Sequence, residues 1–185
     1  MVAPGRNPLS GLVEVDKTEI TCRSKNDPMT GGGSSHDGKM LVVGAVEVRD
    51  LRPGRIRLTT VPDDSAASLH AFLAANLAPV TTALASGIAG YCDAPGINHD
   101  PRVIGALDPR KVRPRVHRIF SDLEVWALSV YHGLRRKHLQ SYLDEFVFRF
   151  NRRRNRDAAF LSLLGLAAAH PPLTYGRLAS LRAKA

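Results

Sequence analysis

Basic side chains dominate the chemistry that this chain can do. Arg110, Lys111, Arg113, Arg115 and Arg118 form one cluster. Arg135, Arg136, Lys137 and His138 form a second, and Arg149, Arg152, Arg153, Arg154 and Arg156 a third. Cations at this density hold phosphate oxygens by charge and by N–H donors, without reading base sequence. Arg115, Arg118, Arg135, Arg136, Lys137, Arg152 and Arg153 are the candidates for contact with a nucleic-acid backbone. The competing reading is that these are the solvated faces of basic helices. Formal net charge is +9, and nucleic acid is the first polyanion that such a balance points to. Charge by itself names no reaction.

Cysteine chemistry is narrower. Cys22 and Cys92 are far apart and neither sits in a CxxC pair. A structural zinc site normally needs four Cys or His ligands in close pairs, so no zinc site is expected. Two free thiols fit a reducing compartment. No apolar run approaches the ~20 residues of a membrane span, and the N-terminus has no apolar h-region of a secretory signal. A cytoplasmic protein without a membrane partner is the expectation.

The elements that must position these side chains follow from periodicity. The chain has 185 residues, 44% of them hydrophobic, enough for one packed domain. Residues 1–11 read as a loose lead-in, 12–178 as the domain and 179–185 as a tail. Leu12 to Ile20 is β-prone. Ser24 to Gly38 is turn chemistry throughout and reads as a long mobile hairpin loop. Met40–Val48 is a buried strand, and Arg55–Val61 alternates as its antiparallel neighbour, with Arg52-Pro53-Gly54 as the turn. Asp63 or Asp64 can cap a helix that starts near Ser65, carries Leu69, Phe72, Leu73 and Leu77 as its stripe, and ends by Pro79. Val80–Ala85 and Val103–Leu107 are expected as fourth and fifth strands. Helices are expected beyond Pro114 as far as Val130, over about Arg136–Asn151, and over about Asp157–Ala169. Tyr142, Phe146 and Phe150 recur every four residues, which makes them a core stripe rather than base-stacking groups.

Four stretches carry more than periodicity. They are Val13-Glu14-Val15-Asp16, Leu41 to Glu47, Asp63 to Leu69, and Tyr131 to Arg154, YHGLRRKHLQSYLDEFVFRFNRRR. Together they resemble the ISXO-like DDE transposase domain of insertion sequences, over roughly Leu12 to Leu178. The resemblance implies an RNase H-like α/β fold: a mixed sheet of about five strands flanked by helices, with further helices at the C-terminal end. It implies DNA as the substrate, with self or an intact transposase as a possible partner. It also implies Mg²⁺ or Mn²⁺ as the cofactor, because two divalent ions ~3.5–4 Å apart can activate the attacking oxygen and stabilise the leaving one.

The family's site has an Asp on the first strand, an Asp at the end of the fourth, and a Glu, Asn or His on the following helix. A Lys follows seven residues later, about two turns on and therefore on the same face. By this resemblance Asp16 is the first position and His117 the third, and both would be metal ligands. Two positions depart. Ala85-Ser86-Gly87, followed by Gly90-Tyr91, places Ser86 where the second Asp belongs, and a neutral hydroxyl cannot bridge two cations. Asp93 is too weakly supported to replace it. Glu124 stands in the Lys position, a charge reversal that repels phosphate. The Gly pair that normally follows the first Asp is also absent, Thr21-Cys22 standing in its place. The chain begins almost directly at the catalytic domain, without the zinc-ribbon region usual in such proteins. Glu145 lies a helix later than the third position. The expectation is a truncated transposase domain with impaired chemistry. The alternative is a non-catalytic, DNA-binding or regulatory remnant.

Overall fold

The structure is a computed structural model that describes residues 6–23, 39–85, 96–101 and 113–169, with Thr174. The expected hairpin loop over 24–38, the strand over 103–107, and Ser86, Cys92, Asp93, Arg110 and Lys111 lie outside the described residues. So does the tail over 179–185.

Six strands form one sheet. β1 (Leu12–Arg23), β2 (Lys39–Arg49) and β3 (Arg52–Val61) make an antiparallel meander. β4 (Thr82–Ala85) lies parallel to β1, and β5 (Asn98–Pro101) parallel to β4. The order is β3-β2-β1-β4-β5, and the short β6 (Leu134–Arg135) pairs with the far end of β1. β1 is therefore central. The helices are α1 (Ala66–Asn76), α2 (Pro114–Tyr131), α3 (Leu139–Asn151) and α4 (Arg156–Ala169). A 3-10 turn, Arg136–His138, leads into α3. This is an α/β, RNase H-like arrangement.

The sheet is covered on both faces, which explains its near-continuous apolar strands. Val13, Val15, Val43 and Ala45 pack with Leu69, Phe72 and Leu73 of α1. Ile20, Val42, Val46, Ile56 and Leu58 pack with Val116, Ile119, Phe120 and Leu123 of α2 and Leu143 and Phe146 of α3. The Tyr142, Phe146, Phe150 stripe belongs to this second layer, as its spacing predicts. β3 is an edge strand, and unpaired edge amides invite association. Two α3 amides cover them. Asn151 Oδ1 accepts from Ile56 N at 2.8 Å, and Gln140 Oε1 from Thr60 N at 3.0 Å.

Two local expectations are corrected. The β2–β3 turn is Asp50-Leu51, both in the left-handed region (φ 49° and 62°), rather than Arg52-Pro53-Gly54. Such a two-residue turn matches the strand twist. Pro53 and Gly54 sit inside β3, beside a register shift between Val46 and Val48. The α1 N-cap is Ser65 itself, whose side chain accepts from Ser68 N. Asp63 supports that cap by accepting from Ser65 and Ser68. Beside β4 the described residues place a strand over Asn98–Pro101, and the strand expected over 103–107 is left untested.

One glycine fixes how closely α2 approaches the sheet. Gly44 on β2 is the register partner of Asp16 on β1. A Cβ built there would lie 2.7 Å from Phe120 Cε1 and 3.0 Å from Leu58 Cδ2. The Phe120 ring of α2 therefore rests directly on the β2 backbone. Gly44→Ala forces that ring, and α2 with it, off the sheet. The expected cost is about 1–3 kcal/mol, as for other overpacked cores, read as a lower denaturant midpoint. An unchanged midpoint would show that the α2 contact is looser than described.

Candidate functional site

Alternate residues of β1 point to one face, so Glu14 and Asp16 share a side of the sheet. Both turn toward the first residues of α2, and both are buried. The helix start explains why. Its N-cap residue is Arg113, which has no side-chain acceptor, and its first residue is Pro114, which has no N–H. The next orphan donors need an acceptor from elsewhere. Glu14 supplies it: Oε2 accepts from Arg115 N at 2.9 Å and Val116 N at 3.0 Å. Glu14 Oε1 takes Arg115 Nη1 at 2.7 Å. The remaining Arg115 nitrogens reach the Leu51 carbonyl at 3.0 and 3.2 Å. Arg115 thus joins β1, the helix start and the strained β2–β3 turn.

Asp16 makes the second half of the grip. Its Oδ1 accepts from Lys17 N at 2.9 Å. Its Oδ2 lies 3.2 Å from Arg113 Nη2 and 3.3 Å from His117 Nε2. The His117 contact has ion-pair distance but not hydrogen-bond direction, so the buried Nε2 has no hydrogen-bond partner. Arg113 is 3% exposed. Its Nη1 reaches the Val15 carbonyl at 3.4 Å, and its Nε is also without a partner.

The structure thus brings Asp16 and His117 together, 101 residues apart in sequence. β4 ends beside them, with Leu84 paired to Glu14, but Ser86 lies outside the described residues. Glu124 is exposed on α2, two turns beyond His117. Glu145 is elsewhere, on α3, where its carboxylate accepts from Tyr131 Oη at 2.6 Å and from Arg149 Nε at 2.9 Å. That bond holds the Tyr131 phenol in its neutral form, raising its pKa to about 12, with burial as the next cause. Glu145 is a structural partner of two side chains rather than an open acid.

The basic candidates divide in two. Arg118, Arg135, Arg136 and Lys137 are exposed, Arg118 lying 4.0 Å from Asp122. The others make contacts within the fold, Arg153 among them although it is also exposed. Arg115 is spent as described. Arg152 stacks over Phe148 at 4.1 Å. Arg153 stacks over Phe150 at 3.8 Å and donates to the Pro53 carbonyl at 2.5 Å. Burial lowers the pKa of Arg153, and Arg154 lowers it further.

A pair of divalent cations needs several carboxylate oxygens facing one point. Asp16 Oδ2 already faces a guanidinium, and His117 adds one nitrogen. Among the described residues no group of three or more His, Cys, Asp or Glu is placed to hold a metal ion. These residues do not fit a metal pair. Glu14 and Arg113 are the two site residues that sequence reasoning passes over. Their signal was present but faint: an acid two residues before Asp16, and an Arg-Pro step opening a helix.

The family described as ISXO2-like transposase domain matches residues 8–151. That span covers more than half of the chain, which belongs to this family. No curated protein matches the chain. No helix among the described residues is long and apolar enough to cross a membrane.

Removing the Glu14 carboxylate tests the grip. Glu14→Ala leaves Arg115 Nη1 and two backbone amides of the helix start without an acceptor and is expected to cost about 3 kcal/mol. Glu14→Gln keeps one acceptor and should cost less than half as much. Urea titrations of the three proteins check the order. Equal stability of Glu14→Ala and the parent would remove Glu14 from this role.

Proposed function

We propose that this ISXO2-like transposase domain acts on DNA, holds the duplex backbone through its exposed basic side chains, and has impaired strand-transfer chemistry. The observation that carries the reading is the 3.3 Å approach of Asp16 and His117 across the β1–α2 junction. Those are the first and third positions of the family's site, and the frame that presents them is intact. With DNA as partner and no membrane-crossing helix among the described residues, the chain is cytoplasmic in this reading.

The charges around that frame support the impairment. Breaking and joining phosphodiesters passes through a phosphorane-like centre crowded with anionic oxygens, which cations must offset. Ser86 contributes no charge to hold a cation. Glu124 adds a negative charge where phosphate would pass. The second reading is a non-catalytic DNA-binding or regulatory protein, alone or co-assembled with intact transposase. The Arg113 guanidinium on Asp16 favours it, because that carboxylate is already neutralised.

A strand-transfer assay with Mg²⁺ or Mn²⁺ separates impaired from active. The parent is expected to be inactive or nearly so, and a Ser86→Asp, Glu124→Lys variant to recover product. Robust transfer by the parent would sink the impairment. Binding to element ends in competition with random DNA separates regulation from remnant, and equal affinity for both argues against regulation.

The exposed cluster gives a second test. Replacing Arg135, Arg136 and Lys137 by Ala should weaken DNA binding and flatten the plot of log K against log[salt]. Each lost phosphate contact takes about 0.9 from that slope on duplex DNA. An unchanged slope would move the DNA path away from β6 and the 3-10 turn.

A further inference from the structure

We infer that the Arg113 guanidinium is a resident counter-ion that closes the Asp16–His117 site to divalent cations. Releasing it opens a site for a single ion. The inference rests on the reading of Asp16 and His117 as the family's first and third positions. It assigns to Arg113 a role that neither the basic cluster around it nor the family site contains.

Three observations converge. First, Arg113 Nη2 and His117 Nε2 approach the same oxygen, Asp16 Oδ2, at 3.2 and 3.3 Å. The guanidinium thus pairs with the same carboxylate oxygen that a cation shared with the imidazole would need. Second, Arg113 is held there. It is 3% exposed, its Nη1 is on the Val15 carbonyl, and its backbone leads directly into Pro114 at the helix start. A buried arginine does not lose its proton and does not leave an acid partner without cost. A dication entering beside it would meet a fixed positive charge in a low-dielectric place. Third, the imidazole is left over. His117 Nε2 is buried with no hydrogen-bond partner. A neutral imidazole nitrogen beside a carboxylate oxygen is the donor pair that Mn²⁺ accepts. The guanidinium satisfies the carboxylate and leaves the nitrogen unsatisfied, so half of a cation site persists behind it.

The test uses the full chain and Mn²⁺ alone, with uptake read as loss of the free-ion EPR signal and stability read by thermal melting. The parent should leave the Mn²⁺ signal and its own melting point unchanged. Arg113→Gln should take up about one Mn²⁺ per chain and melt higher with it, because an ion bound only to the folded state stabilises that state. Adding Asp16→Asn to Arg113→Gln should abolish both effects. Arg113→Lys keeps the charge and should stay closed. Arg113→Met, which keeps much of the side-chain volume, serves if the Gln variant does not fold, with circular dichroism as the check on both.

Mn²⁺ uptake by the parent that Asp16→Asn removes would overturn the closure and leave Asp16 standing as a metal position. Folded Arg113→Gln or Arg113→Met protein that takes up no Mn²⁺ would overturn the closure together with the reading of Asp16 and His117 as a cation site. If neither variant folds, the parent and Asp16→Asn arms decide, and Asp16-dependent Mn²⁺ uptake by the parent refutes the closed site. DNA affinity measured on the same samples reports separately on the proposed function.

Discussion

Two carboxylates on one strand hold one helix end, and the arrangement of the site depends on that grip. Glu14 caps the first turn of α2 through two backbone amides, and Asp16 pairs with Arg113 and His117 of the same turn. An isolated α2 would have no cap of its own, since Arg113 offers no acceptor. The helix dipole adds to the effect, because two negative side chains lie at its positive end. The register is fixed at both ends of the contact. Glu14 and Asp16 set where α2 starts, and Gly44 sets how near it lies by admitting the Phe120 ring. His117 falls between these constraints, one turn before Phe120, so its place over β1 follows from neighbours rather than from its own bonds.

The same logic changes how the basic composition is read. A net charge of +9 invites the view that each arginine is a DNA contact. Several are internal fasteners. Arg55 pairs with the fully buried Glu47 and donates to the carbonyls of Asn7 and Pro8, tying the lead-in to the sheet. Desolvation of Glu47 is outweighed by its bonds from Arg55 and Ser10, and its carboxyl sits below the ordinary value. Arg57 is buried on carbonyl oxygens, and burial lowers its pKa to about 10, with Arg6 and Arg55 adding repulsion. Among the described candidates, Arg118, Arg135, Arg136 and Lys137 are exposed and leave their charge open to a polyanion. Three of these four are consecutive, carried on β6 and the 3-10 turn.

Local pattern made most of the elements readable. The alternation of β2 and β3, the helical stripes of α2 and α3, and the Pro stop after α1 depend on residues within a few positions of one another, and periodicity registers such spacing. The β2–β3 turn was misplaced because Pro-Gly is a strong turn signal. The true turn, Asp50-Leu51, puts a bulky residue at positive φ, which Arg115 supports from another part of the fold. The core of the site was less legible for the same reason. The Glu14–Arg115 and Asp16–His117 contacts each join residues 101 positions apart. Resemblance to a family could point to Asp16 and His117 as positions. It could not point to Arg113 as the partner of Asp16, because that pairing depends on burial and direction that only the packed helix end creates.

A frame of this kind would keep its shape under changes of charge at the site it presents. In a site held together by its own catalytic groups, replacing an acid by a neutral residue or a cation by an anion would loosen the geometry. Here the helix end is held by Glu14, the close approach by Gly44 and the hairpin by Arg115, none of which is one of the proposed catalytic positions. Glu124 is exposed and bears on no buried contact, so its charge can reverse at little cost to folding. Asp16 is different. It is buried, so it must be paired whatever the chemistry requires, and Arg113 provides the pairing within the chain itself. The buried carboxylate thereby keeps a partner of opposite charge inside the fold.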